Sequence, residues 1–201
     1  MQALFEVLKT NTTLTTLDLG SNLIGLWGGG GQALSEALKI NMTLTTLNLG
    51  SNSIGLDGVR RLFEALRTNS TLTSLNVGRN SIRKYGGQAL YEGLKTNASL
   101  ITLNLSFNKI GDRGVQALSE VLITNSTLTT LDSERNNLGE VGSFALAETL
   151  KTNSTLTTLD LTKSKIGENG ATALGEALKT NSTLSTLRLS TNDIGDDGAT
   201  A

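Results

Sequence analysis

Residues Leu156–Thr183 read LTTLDLTKSKIGENGATALGEALKTNST, and the chain repeats this unit, with substitutions, from end to end. The unit begins at Leu14, Leu44, Leu72, Leu100, Leu128, Leu156 and Leu184, at spacings of 28 residues after a first spacing of 30. The two extra residues fall in the run Gly28 to Gly31. Residues 1–13 match the second half of a unit, and residues 184–201 start a seventh. No stretch lies outside the repeat, so the chain reads as one repeat domain over residues 1–201. A fixed period of this length marks a stacked architecture, in which one unit is too small to bury its own apolar face and relies on its neighbours.

Each unit carries two periodicities. Leu44, Leu47 and Leu49 sit in a short Thr-rich segment with alternating character, which is strand-like. Ala33, Leu34, Ala37 and Leu38 form one apolar helical stripe. One strand and one helix per unit give right-handed crossovers and parallel strands. Strands lie about 4.8 Å apart, whereas packed helices need about 8–10 Å. Stacking both in register therefore forces a curve. The expected fold is an α/β solenoid, a right-handed horseshoe with parallel strands on the concave face and helices on the convex face. Strands are predicted around Leu17, Leu47, Leu75, Leu103, Leu131, Leu159 and Leu187, with Leu103, Leu105, Ile110, Leu118 and Leu122 buried. Glu36 and Lys39, three apart, read as a weak pair on the outer helical face. Asn41, Asn69, Asn97, Asn125, Asn153 and Asn181 close the helices and are expected in a left-handed C-terminal position.

Composition removes whole classes of function. The chain has no Cys, His or Pro among its 201 residues. Disulfide frameworks, thiolate metal sites and His-based zinc sites or triads are therefore out of reach. A net charge of −1 argues against a dedicated nucleic-acid or membrane surface. No apolar run nears the ~20 residues that span a bilayer, and MQALFEVLKT lacks the features of a signal peptide. The expectation is a soluble, cytoplasmic chain without cofactor or metal. Asp and Glu recur at repeat positions, which is decoration by duplication and no paired acid and base.

A solenoid is read down its columns. Asn22, Asn52, Asn80, Asn108, Asn136, Ser164 and Asn192 form a turn column able to satisfy backbone groups of adjacent units, with Ser164 too short to make the same bonds. Asn11, Asn41, Asn69, Asn97, Asn125, Asn153, Asn181 and Asn104 match the Asn-x-Ser/Thr acceptor pattern, which here reads as helix-end chemistry copied with the repeat. Variation concentrates at the strand ends. Phe107 stands between Arg79 and Arg135, an aromatic and arginine combination typical of binding hot spots. Asp132, Glu134, Asp160, Lys163 and Arg188 complete the candidate partner-binding set on the concave face. Ser133 replaces a buried Leu beside Glu134 and Arg135. Trp27 before a helix reads as packing over neighbouring loops, and Tyr85 and Tyr91 near Phe63 as a small convex patch.

Leu14-x-x-Leu17-x-Leu19-x-x-Asn22 and its six copies resemble the leucine-rich repeat pattern. The second half, as in Ile166 to Leu178, is similar to the ribonuclease-inhibitor-like subclass with 28-residue α/β repeats. The resemblance implies a horseshoe that binds other proteins, as in ribonuclease inhibitor, NOD-like receptors and Ran GTPase-activating protein. The sequence thus points to a protein-interaction scaffold with a protein partner. The alternatives are a small-GTPase regulator and a structural or surface-array repeat. The molecule is expected to be monomeric, with its least stable end from Leu184 onward, where end-to-end contacts are possible because Leu184, Leu187, Leu189 and Ile194 have no stacked neighbour beyond them.

Overall fold

The computed structural model describes residues 2–24 and 29–200. Trp27 and Gly28 fall outside the described residues. Helices α1 (Gln2–Thr10), α2 (Gly30–Ile40), α3 (Gly55–Leu66), α4 (Gly87–Leu94), α5 (Gly111–Thr124), α6 (Gly139–Leu150), α7 (Gly167–Leu178) and α8 (Gly195–Thr200) alternate with seven strands. The strands are β1 (Thr16–Asp18), β2 (Thr46–Asn48), β3 (Ser74–Asn76), β4 (Thr102–Asn104), β5 (Thr130–Asp132), β6 (Thr158–Asp160) and β7 (Thr186–Arg188). They form one parallel sheet in chain order, with Leu17, Leu47, Leu75, Leu103, Leu131, Leu159 and Leu187 in register. This is the expected α/β solenoid. Strands line the concave side and helices stack behind them.

The core runs as one layer between sheet and helices. Leu103, Leu105, Ile110, Leu118 and Leu122 are all buried, as the periodicity predicts. So are Ala33, Leu34, Ala37 and Leu38 of the α2 stripe. At the far end, Leu184, Leu187, Leu189 and Ile194 are only half-buried against that core. Phe63 is fully buried rather than part of a convex patch, and Gly93 makes room for it. A Cβ on Gly93 would lie 2.5 Å from the Phe63 carbonyl oxygen. Tyr85 is exposed and Tyr91 packs partly against the core.

Two ladders of side-chain amides tie the repeats together. In the turn column, Asn52 donates through Nδ2 to the carbonyls of Leu19 (2.7 Å) and Leu49 (2.9 Å). Its Oδ1 accepts from the amides of Asn22 (3.0 Å) and Ile24 (3.2 Å). Asn80, Asn108 and Asn192 repeat the pattern. Ser164 breaks it. Its hydroxyl donates to the carbonyls of Ser133 (3.2 Å) and Thr162 (3.3 Å), and the amides of Asn136 and Leu138 lose the acceptor their counterparts enjoy. The expected shortfall at Ser164 is real.

The second ladder corrects the reading of the helix-end asparagines. Asn41 and Asn125 are extended, with φ −68°, ψ 127° and φ −73°, ψ 123°, and none of the six takes a left-handed φ. The reason lies in the neighbouring repeat. Asn41 Nδ2 reaches back to the carbonyls of Leu8 (2.8 Å) and Asn11 (3.0 Å), while its Oδ1 accepts the amides of Thr43 (3.1 Å) and Leu44 (2.8 Å). The extended backbone aims the amide at both sets, which offsets the loss of a left-handed cap. Asn69, Asn97 and Asn181 do the same. Asn41, Asn69, Asn97 and Asn153 are buried with Nδ2 hydrogen-bonded, so folded chain offers no glycan acceptor at these positions.

The left-handed residues lie elsewhere. Ser21, Ser51, Arg79, Phe107, Arg135, Lys163 and Thr191 all have φ between 53° and 59°. A Gly column is left-handed too, with φ 67° at Gly55 and 63° at Gly111. Arg83 replaces that Gly and adopts φ 58°, ψ 179°, a region almost exclusive to glycine. Its amide still donates to the Asn108 carbonyl at 2.9 Å, so the ladder holds it in place. On the convex surface, Lys39 bonds Glu64 of the next repeat at 2.9 Å in place of the expected Glu36. Lys95–Glu92 and Lys151–Glu148 do pair within one helix, three residues apart.

Two substitutions test this account by reversible denaturation. Ser164→Asn restores an acceptor for two buried amides and is expected to raise stability by about 1–3 kcal/mol, with slower hydrogen exchange at Asn136 and Leu138. Arg83→Gly relieves roughly 1–3 kcal/mol of strain against a cost of about 0.5–1 kcal/mol in unfolded-chain entropy, so a net gain near 1 kcal/mol is expected. A loss of stability in either variant contradicts the corresponding argument.

Candidate functional site

The inner face is built from strand positions that point away from the core. The column Thr46, Ser74, Thr102, Thr130, Thr158 and Thr186 is half-buried and repetitive. Beside it run Asp18, Asn48, Asn76, Asn104, Asp132, Asp160 and Arg188. These carboxylates and amides end the strands. Asp132 Oδ1 accepts the amide of Glu134 at 2.9 Å, and Asp160 Oδ1 that of Thr162 at 2.9 Å. Asp18, Asn48, Asn76 and Asn104 do the same. Asp132 and Asp160, singled out as contact residues, thus also hold turns, a role their identity as Asx at a strand end makes intelligible.

The structure brings Arg79, Phe107 and Arg135 together. The guanidinium of Arg79 lies 3.8 Å from the centre of the Phe107 ring, and that of Arg135 lies 4.8 Å from it. Between them the ring is half-buried rather than fully exposed. Such contacts contribute about 0.5–1 kcal/mol at exposed sites. Lys163 joins the group across a groove of about 330 Å³ lined by Phe107, Lys109, Arg135, Asn137 and Lys163. Lys109 and Asn137 were not anticipated from the sequence. They sit two residues beyond Phe107 and Arg135, past the buried Asn, and only the left-handed turn brings the two columns side by side.

A cluster of acids borders the stack. Glu134 approaches Arg135 Nε at 3.6 Å, and Arg188 Nε lies 4.0 Å from Asp160 Oδ2. Burial raises the Asp132 carboxyl above its ordinary value, opposed by its bond from the Glu134 amide and reinforced by Asp160 and Glu134. Arg188 is therefore the cation that serves the acidic end, away from the stack.

Recesses of similar size lie elsewhere. One of about 230 Å³ lies over Gly20, Gly50 and Gly78 on the concave floor. Another of about 340 Å³ lies between α3 and α4, beside Arg60, Glu64 and Tyr85. Among the described residues no group of three or more acidic side chains could hold a metal ion, and no helix is long and apolar enough to cross a membrane.

A family model described as Leucine Rich repeat matches residues 10–35, 41–63, 68–90, 96–119, 152–175 and 180–201. The chain belongs to the leucine-rich repeat family. The matched segments skip the repeat that begins at Leu128, where Ser133 stands in a Leu position. The 28-residue α/β unit places this leucine-rich repeat chain in the ribonuclease-inhibitor-like type. No curated protein sequence matches it. Among solved structures, leiomodin-1 actin-binding site 2 is similar at a TM-score of 0.64 and 20% identity, over 74% of this chain and 86% of that one. The leucine-rich repeat-containing protein LegL7 from Legionella pneumophila is similar at 0.59 and 19% identity, over 92% of this chain and 68% of that one. The Caenorhabditis elegans tropomodulin C-terminal domain is similar at 0.58 and 14% identity, over 89% of this chain and 91% of that one. At these identities the likeness is one of fold.

The raised carboxyl gives a test with a definite sign. Ionised Asp132 disfavours the folded state. Asp132→Asn keeps the Oδ1 acceptor for the Glu134 amide but loses the bond that Oδ2 accepts from Asn104 Nδ2 at 2.8 Å. Its melting temperature is expected to compare more favourably with wild type at pH 7 than at low pH. Near pH 3 the carboxyl is protonated in folded and unfolded chains alike and the advantage disappears. A difference from wild type that is equal at both pH values would show that charge is not its cause.

Proposed function

We propose that this leucine-rich repeat chain is a protein-binding scaffold whose partner sits on the concave face and adjoining loops of the third to seventh repeats. The observation that carries this reading is the Arg79–Phe107–Arg135 stack. A large aromatic and two arginines, held in one geometry on an otherwise small and polar surface, supply what binding hot spots use. The partner contacts are Arg79, Phe107, Arg135 and Lys163 at one side, and Asp132, Glu134, Asp160 and Arg188 at the other. The activity is binding rather than catalysis: the acids recur by repeat and are engaged in turns and ion pairs. Leiomodin-1 actin-binding site 2 is an example of this fold used to hold a protein, although no residue of this chain singles out actin.

Affinity capture from a lysate of the source cells, quantified for wild type and for Arg79→Glu with Arg135→Glu, tests the reading. Loss of two hot-spot residues is expected to weaken retention of the specific partner by at least about 30-fold, at roughly 1.4 kcal/mol per tenfold. Lys151→Glu, on the convex surface, is the control and should change nothing. Equal retention by all three folded proteins would overturn the proposal.

A further inference from the structure

We propose that the rim above the strand ends is a docking track for an acidic linear segment of a protein partner, held by Arg79, Lys109, Arg135, Lys163 and Lys165 around Phe107. It rests on the protein-binding reading above and states what chemistry the partner presents.

Charge pairing separates these cations from the lysines at the helix ends, while Arg61, Arg67, Arg83, Lys84 and Arg113, which also lack an ion pair among the described residues, do not line the groove at Phe107. On the convex side Lys9, Lys39, Lys95, Lys151 and Lys179 each pair with a glutamate. On the rim, among the described residues, Arg79, Lys109, Lys163 and Lys165 have no carboxylate within ion-pairing distance, and Arg135 has only the 3.6 Å approach of Glu134. All five are exposed. The equivalent positions in the first two repeats carry Ser21, Leu23, Ser51 and Ser53, and in the seventh Thr191 and Asp193. A chain of net charge −1 thus places four cations without an ion pair, and a fifth only weakly approached, side by side along one stretch of one edge.

The geometry of that stretch selects the partner's shape. Each buried Asn of the turn column is flanked by two left-handed residues, so each repeat offers the rim two side chains. Asp132, Glu134 and Asp160 lie on the concave side of the track. Asp112, Glu140 and Glu168, in the first turns of α5, α6 and α7, lie on the other. A broad acidic face would meet these carboxylates and be repelled. A single extended segment would run between them. From Arg79 to Lys163 is three repeat steps, roughly 15 Å, about the length of five extended residues. Of the two guanidiniums beside Phe107, that of Arg79 has no carboxylate partner and that of Arg135 is approached at Nε by Glu134 at 3.6 Å, so both keep N–H donors for a ligand in a rigid fork. Planar carboxylates match that fork, which a flexible lysine cannot offer. The groove containing Phe107 and Asn137 beside three cations gives such a side chain a place to enter.

Fluorescence anisotropy with a fluorescein-labelled hexaglutamate peptide tests this at about 50 mM salt, where screening is weak. Saturable binding is expected, lost with added salt and absent for labelled hexaglutamine. Arg135→Gln with Lys163→Gln should weaken it at least tenfold, Phe107→Leu severalfold, and the convex pair Lys151→Gln with Lys179→Gln not at all. Melting curves confirm that each variant is folded. No saturable binding, or binding that ignores the rim variants, overturns the proposal. Tighter binding of hexathymidylate than of hexaglutamate also overturns it and assigns the track to nucleic acid. If hexaglutamate fails while Arg79→Glu with Arg135→Glu still abolishes partner capture, the protein-binding reading stands alone. If hexaglutamate binds at the rim and capture is indifferent to those reversals, the broader reading fails and the track remains.

Discussion

A buried primary amide that donates to carbonyls and accepts from backbone amides of the adjoining repeat is the interaction on which this molecule depends. Strands of three residues leave most of each repeat's backbone outside the sheet. Those polar groups cannot be buried unpaired, since each would cost about 1–3 kcal/mol. Asn52 and its equivalents satisfy them on the strand side, and Asn69 and its equivalents on the helix side. Both ladders bond across repeats, so each unit completes its neighbour. Leucine packing makes the stack favourable. The amides make it specific in register.

That arrangement also explains where chemical variety is tolerated. The buried asparagine and the leucines are constrained on all sides. The left-handed residues around the asparagine are not, because their side chains leave the stack. Serine and one leucine occupy them in the first two repeats, and mainly arginine, phenylalanine and lysine in the middle ones. Phe107 between two arginines is therefore an addition to the scaffold rather than a part of it. The acids on the strand ends are different. Asp132 serves the turn through Oδ1 while contributing charge to the surface, so structural and interaction roles overlap in one side chain.

The junction of the fifth and sixth repeats is where the scaffold departs most from its own pattern. Ser133 stands for a core leucine and Ser164 for a ladder asparagine, and the two touch through the Ser133 carbonyl. Asn136 turns part of its bonding to the Ser133 hydroxyl at 3.3 Å. The defect lies directly beneath Glu134 and Arg135.

The sequence by itself determined the architecture, because a 28-residue period with one strand pattern and one helical stripe admits a single way to bury both. It also determined which residues form the core, and that Arg79, Phe107 and Arg135 are neighbours, since equal positions in successive repeats must stack. It did not reveal that Asn41 and Asn125 are extended, that Lys39 meets Glu64 instead of Glu36, or that Lys109 joins Phe107 in one groove. Each of those depends on a distance between repeats or on the hand of a turn. Local propensity favours a left-handed asparagine and an in-helix ion pair, but the carbonyls of Leu8 and the carboxylate of Glu64 are brought within reach only by the stacking itself. Tertiary structure decided these points because the partners lie about one repeat away in sequence, where no local pattern records them.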